Sequence, residues 1–100
     1  MNRELIMLGE ADDTIEINED PTYGYGQKVV STKQVRNDGT FPGMEIGEIL
    51  VKKGDVGYVA SIGTFLQKYW IYGIDFPETG RMVGMRAREL KLVEQEEKTP

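Results

Sequence analysis

The residue types that carry out most protein chemistry are missing from this chain. It has no cysteine and no histidine among its 100 residues, which excludes disulfides, thiolate metal sites, cysteine nucleophiles and the most common general base. Among the 17 carboxylates, those weighed for a metal or acid/base site are two adjacent pairs and three scattered aspartates: Asp12-Asp13, Glu19-Asp20, Asp38, Asp55 and Asp75. Turn chemistry accounts for their positions, and they lack the alternating ligands of a calcium-binding loop. The composition therefore predicts a binding protein rather than an enzyme, with no cofactor and no metal.

A group of residues suited to contact with another protein lies in the stretch 34–47. This stretch is rich in Asn, Asp, Gly and Pro, and we predict a long loop there rather than a strand. Arginine and aromatic side chains are favoured at the centres of interfaces. We therefore predict that Arg36, Asn37, Asp38 and Phe41 form part of a partner surface, the alternative being that they only hold the loop together.

Two further pairs of residues are candidates for partner contacts. Phe65 and Tyr69 are interpreted as surface aromatic residues that contact a protein. Arg86 and Arg88, which flank Ala87, have two interpretations. They are either a solvated basic edge or donors of bidentate hydrogen bonds to a carboxylate, on the partner or in the acidic N-terminal stretch.

Short β-strands must position these side chains. Between residues 27 and 93 the apolar residues mostly alternate, and turn residues recur every eight to twelve positions. We predict a first strand at 27–33, another at 56–62, the strongest at 69–76 and a closing strand after a 3-10 turn at 87–89. This pattern predicts an all-β fold, a small SH3-like barrel of about five strands with a long loop after the first.

Charge divides the chain into three parts. Residues 1–26 contain seven acids and one base, residues 27–93 contain ten bases and seven acids, and residues 94–100 contain three acids and one base. We therefore predict an acidic leader, one barrel domain and an acidic tail at these boundaries, with both ends mobile.

The acidic leader has a second interpretation, in which it folds back as a cover on the weakly basic domain. The alternation in Thr14-Ile15-Glu16-Ile17 predicts a short strand within it. No window approaches 18 consecutive apolar residues, and the N-terminus does not have the pattern of a signal peptide. We therefore expect a cytoplasmic monomer without a membrane partner.

Five motifs, in order along the chain, resemble those of the NifZ family of nitrogen-fixation accessory proteins. They are residues 35–43 (VRNDGTFPG), 47–59 (GEILVKKGDVGYV), 62–67 (IGTFLQ), 71–76 (IYGIDF) and 83–90 (VGMRAREL). The resemblance covers residues 27–93 without an evident insertion, and five ordered motifs are far more specific than any one of them. The leader lies outside it.

The resemblance implies a small SH3-like protein that is not an enzyme. It implies a chaperone-like role in maturation of the nitrogenase molybdenum–iron protein, where the family assists formation of the P-clusters. Because the chain has no cysteine or histidine, such a role must act through the conformation of the immature client.

Two alternatives come from other classes of protein. One is a KOW-like or Tudor-like module that binds nucleic acid or the ribosome. The balance of +3 over residues 27–93, with acidic flanks, counts against it. The other is an SH3-like regulatory subunit similar to the variable chain of ferredoxin–thioredoxin reductase.

Overall fold

The computed structural model describes residues 15–94, which form seven β-strands and two 3-10 helices. The strands are β1 (Lys28–Ser31), β2 (Val35–Arg36), β3 (Ile49–Val51), β4 (Val56–Phe65), β5 (Tyr69–Phe76), β6 (Arg81–Met85) and β7 (Leu90–Leu92). The 3-10 helices are Glu16–Asn18 and Ala87–Glu89. No helix in this part of the chain has the length and apolar character needed to cross a membrane.

The strands form two antiparallel sheets. The larger has the order β6-β5-β4-β1-β7, and β2 pairs only with β3. The prediction of a mostly β fold is confirmed, as is the 3-10 turn before the last strand. Over residues 15–94 the two sheets do not join into one closed ladder, so the SH3-like barrel stays a prediction.

One buried cluster holds the two sheets together. Alternate side chains of β5 and β6 point into it because successive residues of a strand face opposite sides. Its apolar members in the described residues are Val29, Leu50, Val51, Val59, Tyr72, Ile74, Phe76, Val83, Met85 and Leu90. The Arg81 side chain adds a polar link between the sheets, because its Nη1 donates to the main-chain oxygens of Ile49 (3.0 Å) and Leu50 (3.1 Å).

β4 and β5 approach each other so closely that one residue in β4 must lack a side chain. A Cβ on Gly57 would lie 2.5 Å from Ile74 Cγ2 and 2.8 Å from the main-chain oxygen of Asp75. The register between the two strands then shifts between Val59 and Ser61. Glycine at this position therefore allows the close approach with which the long antiparallel β4–β5 hairpin begins.

Three predicted elements differ from the structure. The predicted loop 34–47 contains β2, which gains its hydrogen bonds by pairing with β3. The prediction of a strand at 14–17 is wrong for its described residues, because Glu16–Asn18 is a 3-10 helix whose Ile17 N–H donates to Lys68 O (3.3 Å). β4 extends three residues beyond the predicted 56–62, because its end pairs with the start of β5.

The predicted leader lies partly outside the described residues, which begin at Ile15. Its last residues contact the sheet: the Tyr23 ring meets the Tyr72 ring edge-on at 5.3 Å, and Thr22 N–H donates to Tyr72 Oη at 2.8 Å. Burial and the neighbouring Tyr72 raise the pKa of Tyr23 above its ordinary value. The domain boundary at residue 27 stays a prediction, and the predicted tail falls almost wholly beyond Glu94.

Candidate functional site

Asn37 organises the loop between β2 and β3 from the inside. Its side chain is 2% exposed. Oδ1 accepts hydrogen bonds from the N–H groups of Gly39 (2.9 Å) and Phe41 (3.1 Å). Nδ2 donates to Met44 O (2.9 Å) and lies 3.2 Å from the oxygens of Phe41 and Glu45. One amide therefore satisfies main-chain groups between Gly39 and Glu45 and constrains the conformation of this part of the loop.

The two charged residues beside Asn37 face solvent. Arg36 Nη1 donates to Gly47 O at 2.7 Å. Asp38 Oδ1 accepts from the hydroxyl (2.7 Å) and the N–H (3.1 Å) of Thr40. These hydrogen bonds, the hydroxyl's first, hold the pKa of the Asp38 carboxyl below its ordinary value. These hydrogen bonds therefore hold one cationic side chain, Arg36, and one anionic side chain, Asp38, in place on the surface of the loop.

A groove of about 500 Å³ runs between this loop and the edge strand β6. We call it the loop groove. Its walls include Arg36, Asp38, Phe41, Leu50 and Met82. Phe41 is half-buried against the core, and Met82 is 52% exposed. The groove thus places an aromatic ring, a leucine side chain and a thioether beside the two charged residues Arg36 and Asp38.

A second group consists of four residues: Glu16, Tyr69, Trp70 and Arg86. We call it the Arg86 cluster. The guanidinium carbon of Arg86 lies 3.9 Å from the centroid of the Tyr69 ring, a cation–π contact. Arg86 Nη2 lies 3.4 Å from Glu16 Oε2. Arg86 thus contacts a carboxylate of the acidic N-terminal stretch, as one of the two interpretations of Arg86 and Arg88 expects. The contact uses one nitrogen and is not bidentate.

Phe65 and Arg88 lie apart from these contacts. Phe65 is 54% exposed near the tip of the β4–β5 hairpin, where it pairs in register with Tyr69. Arg88 is exposed on the second 3-10 helix. The structure thus brings Arg36, Asp38 and Phe41 together at the loop groove and Tyr69 together with Arg86, while the partner-binding role of all eight predicted residues stays a prediction.

Two features of these surfaces were not predicted from the sequence. Met82 borders the loop groove, and an outward-facing methionine in the alternating strand β6 was the available signal. Leu66 is 67% exposed at the hairpin tip, and both Leu66 and Gln67 have positive φ, 58° and 55°. Because non-glycine residues rarely adopt this conformation, the tip is strained.

Residues 15–94 bring together no group of three or more acidic, cysteine or histidine side chains that could hold a metal ion. The chemical groups that the two surfaces do offer are aromatic rings, a thioether, guanidinium groups and a carboxylate. They suit protein recognition.

Comparisons with known proteins agree with the motifs. The NifZ domain model matches residues 20–92. The chain is 58% identical over 74 residues to a protein of Rhodobacter capsulatus named as NifZ. The aligned region covers 74% of this chain and 95% of that protein. Over 80 residues the chain is 48% identical to a protein of Sinorhizobium fredii that carries the same name, covering 80% and 74%.

A longer relative shows the same similarity over part of its length. The NifZ protein of Azotobacter vinelandii is 46% identical over 72 residues, which are 72% of this chain and 45% of that protein. No solved structure matches the chain. The family model covers nearly all of the described residues, and the resemblance found from the motifs is confirmed: the chain belongs to the NifZ family.

Proposed function

We propose that this protein is a non-enzymatic accessory protein of nitrogen fixation. It binds an immature nitrogenase molybdenum–iron protein in the cytoplasm and assists, as a chaperone, the formation of the P-clusters. Family membership supports the general role. The sequence supports a role that acts through the conformation of the client, because a chain with no cysteine and no histidine has few ligands for an iron–sulfur cluster of its own.

The loop groove is the observation that carries the client-binding part of the proposal. Asn37 holds the loop in one conformation through hydrogen bonds to several main-chain groups. A preorganised surface loses little conformational entropy on binding. Phe41 and Arg36 line this surface, and phenylalanine and arginine are among the residue types enriched in protein–protein interfaces. The loop also contains the first of the five NifZ-like motifs, residues 35–43.

The arrangement of strands supports the finer class of fold that we propose, an SH3-like domain. A long loop follows the first strands, a long β4–β5 hairpin follows it, and a 3-10 helix precedes the last strand. The nucleic-acid alternative has weaker support. The described residues carry ten bases and eleven acids, and Arg86, which stacks on an aromatic ring, faces a carboxylate of the same chain.

A capture experiment with purified client tests the proposal. The immobilised full-length chain is offered the molybdenum–iron protein in two states, one isolated before its P-clusters are complete and one mature. We expect preferential retention of the immature state. Equal retention of the two states, or retention of neither, would contradict a role in maturation.

Substitutions in the same assay test the groove. The double variant Arg36→Ala/Phe41→Ala should bind the immature client about tenfold more weakly or worse, as expected for the loss of hot-spot residues. Tyr25→Ala/Lys91→Ala removes an aromatic and a basic side chain from exposed positions elsewhere. This matched control should bind like the wild type, and equal affinity of both variants would place the client surface outside the groove.

A further inference from the structure

The first residues of β5 have an edge that β6 leaves open. β6 pairs with β5 only from Tyr72 onward, whereas β4 pairs with it from Tyr69. A segment from the N-terminal side occupies the open edge. The Trp70 N–H donates to a carboxylate oxygen of Glu16 (Oε1, 3.0 Å), and the Ile17 N–H donates to the main-chain oxygen of the residue before Tyr69 (3.3 Å).

The occupying segment is held mainly by polar contacts. No residue of Glu16–Asn18 is buried, and Ile15 is 42% exposed. One further hydrogen bond runs from the Trp70 indole Nε1 to Glu19 O at 3.0 Å. Local opening requires little free energy where few apolar contacts must be lost. The segment can therefore leave the edge without unfolding the sheet.

Arg86 is only partly satisfied by the occupying segment. Its Nη2 lies 3.4 Å from Glu16 Oε2, while the other oxygen of Glu16 accepts from Trp70. The buried Nε of Arg86 has no hydrogen-bond partner within residues 15–94. A carboxylate that is free of Trp70 could accept from Nε and Nη2 together, which is the stronger geometry for an arginine. The Arg86 side chain is 20% exposed, so a ligand can reach it.

We propose that this edge is the binding site for an extended acidic segment of a protein partner, and that residues 16–19 occupy it in the partner's absence. The chemistry of the resident segment identifies the ligand, because it already places a carboxylate at Arg86 and a main-chain N–H at the edge of β5. An incoming strand would accept from Trp70 N–H with a carbonyl oxygen and leave its carboxylate free for Arg86. The inference rests on the proposed function, in which the client supplies the segment.

Peptide binding to the full-length chain tests the proposal. The probe is a synthetic peptide with the sequence of residues 14–20, TIEINED, blocked at both ends. Trp70 is the only tryptophan of the chain, so its fluorescence reports binding at the site. In the wild type the resident segment competes at an effective concentration on the order of millimolar, so the peptide should bind weakly.

Glu16→Ala removes the resident carboxylate from both Trp70 and Arg86. We expect this variant to bind the peptide about tenfold more tightly than the wild type, because the competing segment is weakened. Glu19→Ala is the matched control, since the structure uses the main-chain oxygen of this residue. It should bind like the wild type. Adding Arg86→Lys, which keeps the charge but loses the fork of donors, should remove most of the gain.

Equal affinity of the wild type and Glu16→Ala would overturn the proposal, as would a gain that survives Arg86→Lys. Circular dichroism of each variant establishes that it is folded, and a peptide with Gln in place of Glu16 should bind folded Glu16→Ala less tightly than the acidic peptide. Capture of the immature client by the wild type is a separate measurement. Successful capture without peptide binding would defeat this inference alone, and peptide binding without capture would defeat only the proposed function.

Discussion

Replacing Asn37 with alanine is the sharpest test of how the loop groove is built. The substitution removes two accepted hydrogen bonds, from Gly39 and Phe41, and the donation by Nδ2 to Met44 and its neighbours. The two protons of the amide can satisfy about two of the three nearby carbonyls, so about four hydrogen bonds are lost. Each contributes about 1 kcal/mol net, and water reaches some of the freed groups, which gives a loss of about 2–4 kcal/mol in the free energy of unfolding.

Such a loss is large for a domain of this size. Total stabilities are about 5–15 kcal/mol, and each kcal/mol lowers Tm by about 4–8 °C in a domain of 60–100 residues. Urea and thermal unfolding followed by circular dichroism measure the change. Asp38→Ala is the matched control, because that exposed side chain caps only Thr40, and its loss should be much smaller. A loss below about 1 kcal/mol for Asn37→Ala, or one no larger than the control's, would refute the argument that this amide holds the loop.

Two further predictions concern the hairpin tip and the loop carboxylate. Replacing Leu66 with Asn and Gln67 with Gly gives a turn sequence that prefers positive φ, so thermal unfolding should show a gain of about 1 kcal/mol, and an unchanged or lower Tm would contradict the strain. The Asp38 carboxyl should titrate below its ordinary pKa of 3.8 in an NMR titration, and Thr40→Val should raise its pKa. Because folding lowers the pKa of Asp38, its carboxylate stabilises the folded state fully at a pH above the ordinary pKa. This stabilisation disappears as the pH falls through the pKa of the folded state. A carboxyl whose pKa is the same in both proteins would contradict the role of Thr40.

The positions of the long strands were predictable because apolar residues alternate with other residues in a strand that has one buried face. In β5 the residues Tyr72, Ile74 and Phe76 are buried on one face, as their spacing of two predicts. β2 was not predictable, because the two residues Val35–Arg36 are too few to show a period. In the 3-10 helix Glu16–Asn18, the Glu16 carboxylate accepts a hydrogen bond from the N–H of Trp70, far away in the sequence, and a local pattern does not contain that information.

The candidate site was predictable by residue type but not by orientation. Asparagine and glycine correctly mark turns in the loop, and Phe41 and Arg36 do line the groove. The direction of the Asn37 side chain depends on the path of the loop main chain, so a residue predicted at the partner surface is instead buried beneath it. Glu16 joins the Arg86 cluster only through the fold, since a stretch of 69 residues separates it from Arg86.

The side-chain link through Arg81 has a consequence for how the molecule opens. The two sheets share core side chains and this guanidinium, but no main-chain ladder crosses between them in the described residues. Amide protons of β2 and β3 should therefore exchange with solvent through a sub-global opening, earlier than those of β4 and β5, which pair along most of their length. Because β2 and β3 contribute Val35, Arg36 and Leu50 to one wall of the loop groove, that opening also disrupts the groove. Occupancy of the groove should consequently appear first as slower exchange in β2 and β3, before any change in β4 and β5.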